Sequence, residues 1–304
     1  MKRGAKTRAK GSRFGWESAL FTLPAVLVVF FVIAFPLGQA IWLSFTDKSV
    51  GNPTVNFIGM QNYNYWLHSP LFWQALRNSL VLGAVTVAIS LLLGMPCAIA
   101  LERFVRFKNI IAGIALIPWI SPTVVSSLVW YWMLNPFSGL INWTLSHIGL
   151  INAPVNWLGT PGLAMFSIIL VSTWRRAPYF GVVLNAGLSE VPVELYEAAR
   201  IDGANAWQQF RFVTLPALRG LIFLVSILGF IETAYSFTFV YVLTRGGPAG
   251  TTQIIPVQAF VTAFNSGQLG KGIAMPLLTI PLFIPLMVIG TRRLIARWTV
   301  GGTS

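Results

Sequence analysis

The chain has 304 residues, of which 55% are hydrophobic and only 10% are charged, and its formal net charge is +13. Soluble domains carry about 25% charged residues, so this composition excludes an ordinary soluble fold, which would expose too much apolar surface. The single cysteine, Cys97, excludes a disulfide framework and is predicted to be a small buried hydrophobe. The sequence therefore predicts a protein whose main solvent is a lipid bilayer.

Six stretches are long and apolar enough for a membrane-spanning helix, which needs about 20 residues. The first follows a basic tail over residues 1–18. Its apolar stretch is too long for the core of a signal peptide, and no small-residue cleavage site follows it, so we expect it to be retained. The predicted fold class is all-α, a polytopic membrane protein, and the predicted spans cover residues 19–42, 80–101, 110–134, 163–186, 217–240 and 273–291.

The positions of the basic residues predict the orientation of these spans. Fifteen of the 21 Lys and Arg residues lie in the N-terminal tail, after spans two and four, and at the C-terminal end. The other three connections hold four, and Arg175 and Arg176 lie inside span four. Because cytoplasmic loops carry the excess of Lys and Arg, both termini and residues 190–216 are predicted to be cytoplasmic. The basic tail then serves as a topology determinant and contacts anionic lipid rather than nucleic acid.

Residues 190–216, between spans four and five, are polar and hold four of the eight acidic residues. The stretch "VELYEAARI" is rich in helix formers, with Pro192 predicted in its first turn and Ser189 as a possible cap. Gly203 predicts its end. Asn205 is then expected to cap a second helix, "AWQQFRFVT", which ends at Leu215. The residues alone allow two interpretations: an amphipathic connector in the membrane interface, or a surface that docks into a partner.

The spacing within this segment resembles a known motif. Glu197-Ala198-Ala199, three residues, Gly203, nine residues, Val213, one residue and then Leu215-Pro216 is similar to the EAA loop of binding-protein-dependent ABC importer permeases. The family pattern prefers Ile where Val213 stands. Five further stretches resemble the carbohydrate branch of that family, which contains the maltose and glycerol-phosphate permeases: "FIGMQNY" (57–63), "FWQALRNSL" (72–80), "IPWISPTVVSSLVW" (117–130), "NPFSGLIN" (135–142) and "YVLTRGGP" (241–248).

The resemblance implies a fold, a set of partners and a location. It implies a permease domain over residues 77–293, preceded by the first helix and outer loop (19–76) and followed by a cytoplasmic end (294–304). The implied partners are a second, homologous permease subunit, two cytoplasmic ATPase subunits and an extracytoplasmic solute-binding protein, all at a prokaryotic cytoplasmic membrane. The residues to which it assigns the docking of an ATPase are Glu197, Ala198, Ala199, Gly203, Leu215 and Pro216.

ATP hydrolysis is not predicted for this chain. The closest match to a phosphate-binding loop, "NSGQLGKG" (265–272), has Asn265 in place of the first Gly and Gly272 in place of Ser or Thr. ATP and Mg are therefore expected on a separate ATPase chain, and no cofactor or metal is expected here. A secondary transporter is the alternative class, but only one carboxylate, Glu232, lies inside a span. A membrane enzyme is disfavoured because no His, Asp and Glu cluster has metal-binding spacing.

Seven residues are predicted along the substrate pathway. Arg175, Arg176 and Glu232 are ionisable groups inside spans, and three roles stay open for them: an ion pair that joins two spans, a contact with lipid or the partner permease, or contact with solute. The end of span five mixes aromatic rings and hydroxyls that suit a sugar or simply join helices; these residues are Tyr235, Ser236, Thr238 and Tyr241. The solute class stays open among a sugar, an oligosaccharide, a polyol and a polyol phosphate.

Overall fold

A computed structural model describes residues 16–104 and 107–285 of the chain. All regular elements in these two ranges are helices, and the one extended pairing is an isolated antiparallel bridge between Thr46 and Phe57. Most of the predicted basic tail (1–18), the predicted C-terminal end (294–304) and the end of the sixth span lie outside the described residues. The predicted all-α class is confirmed for the described part of the chain.

The first predicted span forms one continuous helical rod. Helix α1 (Trp16–Val29) passes through a π-helical turn (Phe30–Ala34) into α2 (Phe35–Ser44). Its side chains from Leu20 to Leu43 are almost all exposed, and the last named helix of the described chain packs against α2. The outer loop is fastened to the end of this rod, because the Tyr63 hydroxyl lies 2.6 Å from Ser44 Oγ. The rod thus projects its apolar surface away from the rest of the chain.

The second predicted span lies inside a longer helix. After the short helix α3 (Gln61–His68), α4 runs over Pro70–Phe104, starting ten residues before the predicted boundary. The extra turns bury Phe72 and Ala75 against the outer loop rather than against lipid. Hydropathy therefore located the part that faces the membrane, whereas tertiary packing set the end of the helix.

The third predicted span is not one continuous helix but three. It consists of α5 (Lys108–Ala115), α6 (Ile117–Ile120) and α7 (Thr123–Met133), and the α5–α6 pair bends by 84° relative to α7. The bend falls at Ser121, whose ψ of 138° is extended because the ring of the following proline disfavours helical backbone there. A short outer helix, α8 (Leu140–His147), follows.

The fourth predicted span is the central helix of the fold. Helix α9 (Leu163–Ser189) lies along α4, and glycines allow the two to approach closely. A methyl group at Gly94 would lie 2.9 Å from the Phe180 Cβ. Cys97, predicted to be buried, is half-buried against Gly181 of α9. This pair forms the scaffold on which the functional residues are placed.

The segment between spans four and five forms a short helix and then joins the next span directly. Helix α10 (Val193–Ile201) is followed by α11 (Ala206–Gln209), a π-helical turn (Phe210–Thr214) and α12 (Leu215–Ala234). The second short helix was predicted to end at Leu215, and this was wrong. The wider π turn precedes Pro216 and accommodates its ring, so the helix continues.

The fifth and sixth predicted spans also differ from the structure in their bounds. The fifth ends at Ala234, and the chain restarts as α13 (Phe237–Thr244). Before the sixth come α14 (Ile255–Phe260) and a π-helical turn (Val261–Asn265), which the hydropathy pattern did not predict because they are short. Helix α15 (Leu269–Leu277) then begins the sixth span, and helical backbone resumes over 280–285.

Length and apolar composition support part of the predicted span count. In the described ranges, three continuous helices are long and apolar enough to cross a membrane: Leu20–Ser44, Pro70–Glu102 and Ala206–Ala234. The bent pair around Ser121 would make a fourth. Helix α9 carries two arginines near its middle and does not meet this criterion, and Leu269–Pro285 is shorter. Six spans therefore remain a prediction for this chain.

Candidate functional site

The C-terminal end of α10 is fixed by a left-handed glycine. Gly203 has φ +80°, and its N–H donates to the Arg200 carbonyl at 3.0 Å, while Ala204 N–H donates to the Ala199 carbonyl at 2.9 Å. These two bonds form a Schellman motif, which satisfies the last carbonyls of a helix. A methyl group at Gly203 would meet no atom within 4 Å. Glycine is therefore required here by the backbone conformation and not by space.

The next helix starts from an equally defined cap and is tied back to α10. Asn205 and Gln208 form a reciprocal capping box, with bonds of 2.9 and 2.8 Å. The Tyr196 hydroxyl of α10 lies 2.9 Å from Thr214 Oγ1 in the π turn, and Gln209 Nε2 donates to the Ala204 carbonyl at 2.9 Å. The result is a rigid helical hairpin, as predicted from Gly203 and Asn205. Pro192 occupies the N-cap position of α10 rather than its first turn.

The hairpin presents the predicted docking residues on an exposed surface. Glu197 and Ala198 are exposed, Ala199 is half-buried, and Glu197 forms no ion pair with any described residue. Ile201 beside them is 87% exposed, which leaves an apolar side chain without a partner. Leu215 and Pro216 are exposed as well but lie across the π turn, at the start of α12.

A carboxylate that sequence reasoning missed joins the base of the hairpin to the helix pair α4 and α9. Glu102 Oε2 accepts hydrogen bonds from Lys108 Nζ at 3.0 Å, Asn185 Nδ2 at 2.9 Å and Ser189 Oγ at 2.9 Å. Ser189 was predicted as a possible cap of α10, and this was wrong. It is the last residue of α9, and its hydroxyl donates to Glu102 instead. The i, i+4 spacing of Asn185 and Ser189 puts both polar side chains on one face of α9, and this was the sequence signal for a shared partner.

Six of the seven predicted pathway residues line one polar pocket of 260 Å³ between α7, α9 and α12. Its central contact is the ion pair of Arg176 Nη1 with Glu232 Oε2 at 3.0 Å. The Arg176 side chain is 9% exposed and that of Glu232 is 59% exposed. The carboxylate therefore reaches from a buried guanidinium toward open space. The six residues are Arg175, Arg176, Glu232, Tyr235, Ser236 and Thr238.

The two adjacent arginines make different contacts. Arg175 does not pair with Glu232; its Nη1 donates to the Ser121 carbonyl at 2.7 Å and the Pro118 carbonyl at 3.3 Å. These carbonyls lie at the bend before α7, where helical partners are lost. Arg175 thus ties α9 to the bend. The sequence put both arginines in the pathway but did not distinguish these two contacts.

A second helix break supplies the rest of the pocket. Tyr235 ends α12 and Ser236 precedes α13, so both lie where the helix is interrupted. The Tyr235 hydroxyl is hydrogen-bonded to Thr279 Oγ1, and its ring meets Phe283 edge-on at 5.3 Å. Tyr241 does not line this pocket. It stacks on Phe237 at 4.9 Å and faces a separate cavity of 730 Å³.

Two further hydroxyl groups of the pocket were not predicted. Ser172 and Thr233 line it, both are at least nine-tenths buried, and neither hydroxyl has a hydrogen-bond partner among the described residues. A buried polar group without a partner is costly, so these hydroxyls are available to a bound molecule. Ser172 lies three and four positions before the two arginines, which places it on their face of α9. In the described part of the chain, no cluster of His, Cys, Asp and Glu is grouped to hold a metal ion.

Solved structures of bacterial ABC transporters share the fold of this chain. It superimposes with a TM-score of 0.77 on a chain of a bacterial ABC transporter involved in the import of the acidic polysaccharide alginate, at 19% identity and covering 91% of this chain and 94% of that one. A structure of the alginate transporter in complex with its pentasaccharide-bound periplasmic protein matches with a TM-score of 0.76. The fold is thus that of a transmembrane chain of an ABC transporter.

Sequence relatives define the family. Residues 90–295 match the model for the binding-protein-dependent transport system inner membrane component, and the chain belongs to this family. It is 35% identical over 285 residues to the trehalose/maltose transport system permease protein MalF of Thermococcus litoralis, covering 94% of this chain and 95% of the relative. The diacetylchitobiose uptake system permease protein DasB of Streptomyces coelicolor is 29% identical, covering 93% and 88%. This chain is accordingly a transport component of the inner membrane.

Proposed function

We propose that this chain is the pore-forming permease subunit of an ATP-driven importer for a sugar or a sugar-like solute. Relatives that cover nearly the whole chain are named for the transport of trehalose, maltose and diacetylchitobiose. The polar pocket supports this substrate class, because it combines hydroxyls, a charged pair and aromatic rings. Aromatic rings cover the apolar faces of sugars, and hydroxyls and charges bond to their OH groups.

The α10 hairpin is the proposed docking site for an ATPase subunit. The single observation that carries this proposal is a rigid, exposed hairpin that ends at a left-handed glycine and presents an unpaired Glu197. ATP and Mg would be bound by the ATPase subunits, and a second permease subunit would complete the pore. A solute-binding protein would deliver the solute from the other side.

The proposed orientation puts both termini and the hairpin in the cytoplasm, with six spans. The distribution of Lys and Arg supports it, because the basic residues concentrate at the ends and connections assigned to that side. The connection of α12 to the hairpin through one continuous helix supports direct transmission of movement. ATP-driven closure of the ATPases would shift the hairpin, and α12 would carry that shift to the polar pocket.

Two helix breaks at the pocket support the proposed substrate pathway. The interruption at Tyr235 forms part of the pocket wall. The bend at Ser121 is hydrogen-bonded to Arg175, which also lines the pocket. Interrupted helices at membrane depth commonly line solute sites. Arg176 and Glu232 would hold two helices in register while the exposed carboxylate meets the solute.

The experiment is reconstitution of the importer with its binding protein in proteoliposomes. The solute is first identified by thermal-shift screening of the binding protein against sugars, oligosaccharides, polyols and polyol phosphates. We expect uptake of that solute only with ATP and the ATPase subunits present. Uptake driven by an ion gradient without the ATPase would instead establish the secondary-transporter alternative.

A further inference from the structure

Two cavities meet on the side of the molecule where the α10 hairpin lies. The first is an apolar groove of 690 Å³ between α4 and α12. All the side chains that line it are apolar or aromatic, and Pro96 interrupts the hydrogen bonding of α4 within it. Leu92, at its edge, is 72% exposed. The groove lies along two helices that are long and apolar enough to cross a membrane, so the hydrocarbon of the bilayer can reach it.

The second cavity, here called the polar cavity, lies beneath α10 and has a mixed lining that holds polar and charged groups. It measures 590 Å³ and includes Glu102, Ser189, Tyr196 and Arg200. Three residues, Ile99, Trp207 and Phe210, line both cavities. The groove and the polar cavity therefore adjoin and form one depression, whose polar and charged groups all lie at the hairpin end.

The charges in the polar cavity leave one cation available. Glu102 is already bound by Lys108, Asn185 and Ser189. Arg200 is the basic residue of this lining, it is exposed, and it forms no ion pair with a described residue. Trp207 is 65% exposed at the junction of the two cavities. Tryptophan prefers the membrane–water interface, which places the junction at headgroup level.

We propose that this depression binds one anionic phospholipid. An acyl chain fills the groove between α4 and α12, the Trp207 ring lies beside the glycerol region, and the phosphate binds the Arg200 guanidinium. A phospholipid fits this depression because its acyl chain is apolar, like the groove, and its charge lies in the headgroup, where the charged side chains of the polar cavity are. Guanidinium groups bind phosphate through paired, charge-assisted hydrogen bonds. Binding there would connect membrane composition to the α10 hairpin, independently of the solute transported.

The test measures which lipids stay bound to the purified importer. The complete complex is equilibrated in equal parts of phosphatidylglycerol and phosphatidylethanolamine, extracted in mild detergent, and its retained lipids are counted by mass spectrometry. We expect wild type to retain phosphatidylglycerol preferentially. Arg200→Gln should lower that preference about fivefold, which corresponds to the binding free energy that one basic residue contributes at an anionic membrane surface. Arg200→Lys should keep most of it, and Arg211→Gln, a basic residue outside the depression, should change nothing.

The groove is tested separately with a filling substitution. Ala88→Trp, inside the groove, should reduce the retained amount of both lipids, whereas Ala84→Trp, exposed on α4 one turn away, should not. An unchanged lipid ratio in Arg200→Gln would overturn the proposal. So would an Ala88→Trp complex that loses a protein subunit while its lipids are unchanged, because a protein would then cover the groove. Subunit composition is measured in the same samples, so loss of the ATPase, which would concern the proposed docking, is distinguished from loss of lipid.

Discussion

At the scale of single residues, Gly203 and Glu197 carry the proposed coupling. Gly203 provides the left-handed backbone that closes α10, and the open space around it shows that conformation is the constraint. Glu197 is exposed and without an ion pair among the described residues. A substitution at either position can therefore test docking without changing any surface within the membrane.

Replacing Gly203 by a β-branched residue should reorient the hairpin. We expect Gly203→Val to reduce co-purification of the ATPase and solute-stimulated ATP hydrolysis, because valine is strained at positive φ by about 1–3 kcal/mol. Gly203→Asn is the matched control, since asparagine tolerates left-handed backbone and should retain most activity. Equal activity of the valine and wild-type proteins would contradict the docking role.

Reversing the charge at Glu197 should weaken ATPase binding directly. A charge mismatch buried at an interface costs several kcal/mol, so Glu197→Lys should lower the affinity for the ATPase by about a hundredfold. Glu197→Gln removes the charge without repulsion and should have a smaller effect. Titration of the purified permease pair with the ATPase measures this. If all three proteins bind alike, the hairpin is an interfacial connector and no more.

The Arg176–Glu232 pair should contribute to the stability of the assembled importer. Glu232→Gln leaves the buried Arg176 guanidinium without its counter-charge, which is unfavourable, so we expect a lower melting temperature. Arg176→Gln combined with Glu232→Gln should recover part of the loss, as a double-mutant cycle reveals for paired groups. If instead the melting temperature is unchanged and uptake alone falls, Glu232 acts through the solute. Unchanged stability and uptake would remove it from both roles.

At the scale of elements, the broken helices define the pocket. The third span bends at Ser121, just before Pro122, and Arg175 of α9 is bonded to the carbonyls there. In contrast, the second short helix of the hairpin and α12 are continuous despite Pro216, because a π turn precedes it. A proline thus accompanies a bend in the first case and a π turn within a continuous helix in the second.

Removing the Arg175 side chain should loosen the bend before α7. Arg175→Gln leaves the Pro118 and Ser121 carbonyls without their donor, at a cost of about 1–3 kcal/mol. We expect intact assembly with the partner subunits, reduced heat stability and slower uptake in proteoliposomes. Arg77→Gln, an exposed arginine at the start of α4, is the control and should behave as wild type. Wild-type stability of Arg175→Gln would show that the bend holds without this contact.

At the scale of the whole molecule, the orientation in the membrane can be tested with impermeant thiol reagents. In a Cys97→Ala background, cysteines at Ser12, Ala206 and Thr303 should react only from the cytoplasmic side, and one at Ser146 only from outside. Ala206 and Ser146 are exposed, so burial will not mask the result. Labelling of position 206 from outside would overturn the orientation and the docking proposal with it.

The sequence by itself determined the class of protein and the local form of the hairpin. Its composition requires a bilayer, and the spacing from Glu197 to Pro216 indicates the permease family. The helix end at Gly203 and the cap at Asn205 were predicted correctly. Caps and turns are made by residues a few positions apart, so their physics is fully present in a short stretch of sequence.

Only the tertiary structure decided which side chains meet. Glu232 pairs with Arg176 across 56 positions, while the neighbouring Arg175 binds the bend, and Ser189 bonds to Glu102 across 87 positions. Such pairs depend on the register in which helices pack, which is set by close approach at glycines such as Gly94. Hydropathy does not report that register. Rotating a helix about its axis changes its contacts but leaves the apolar composition of the span the same.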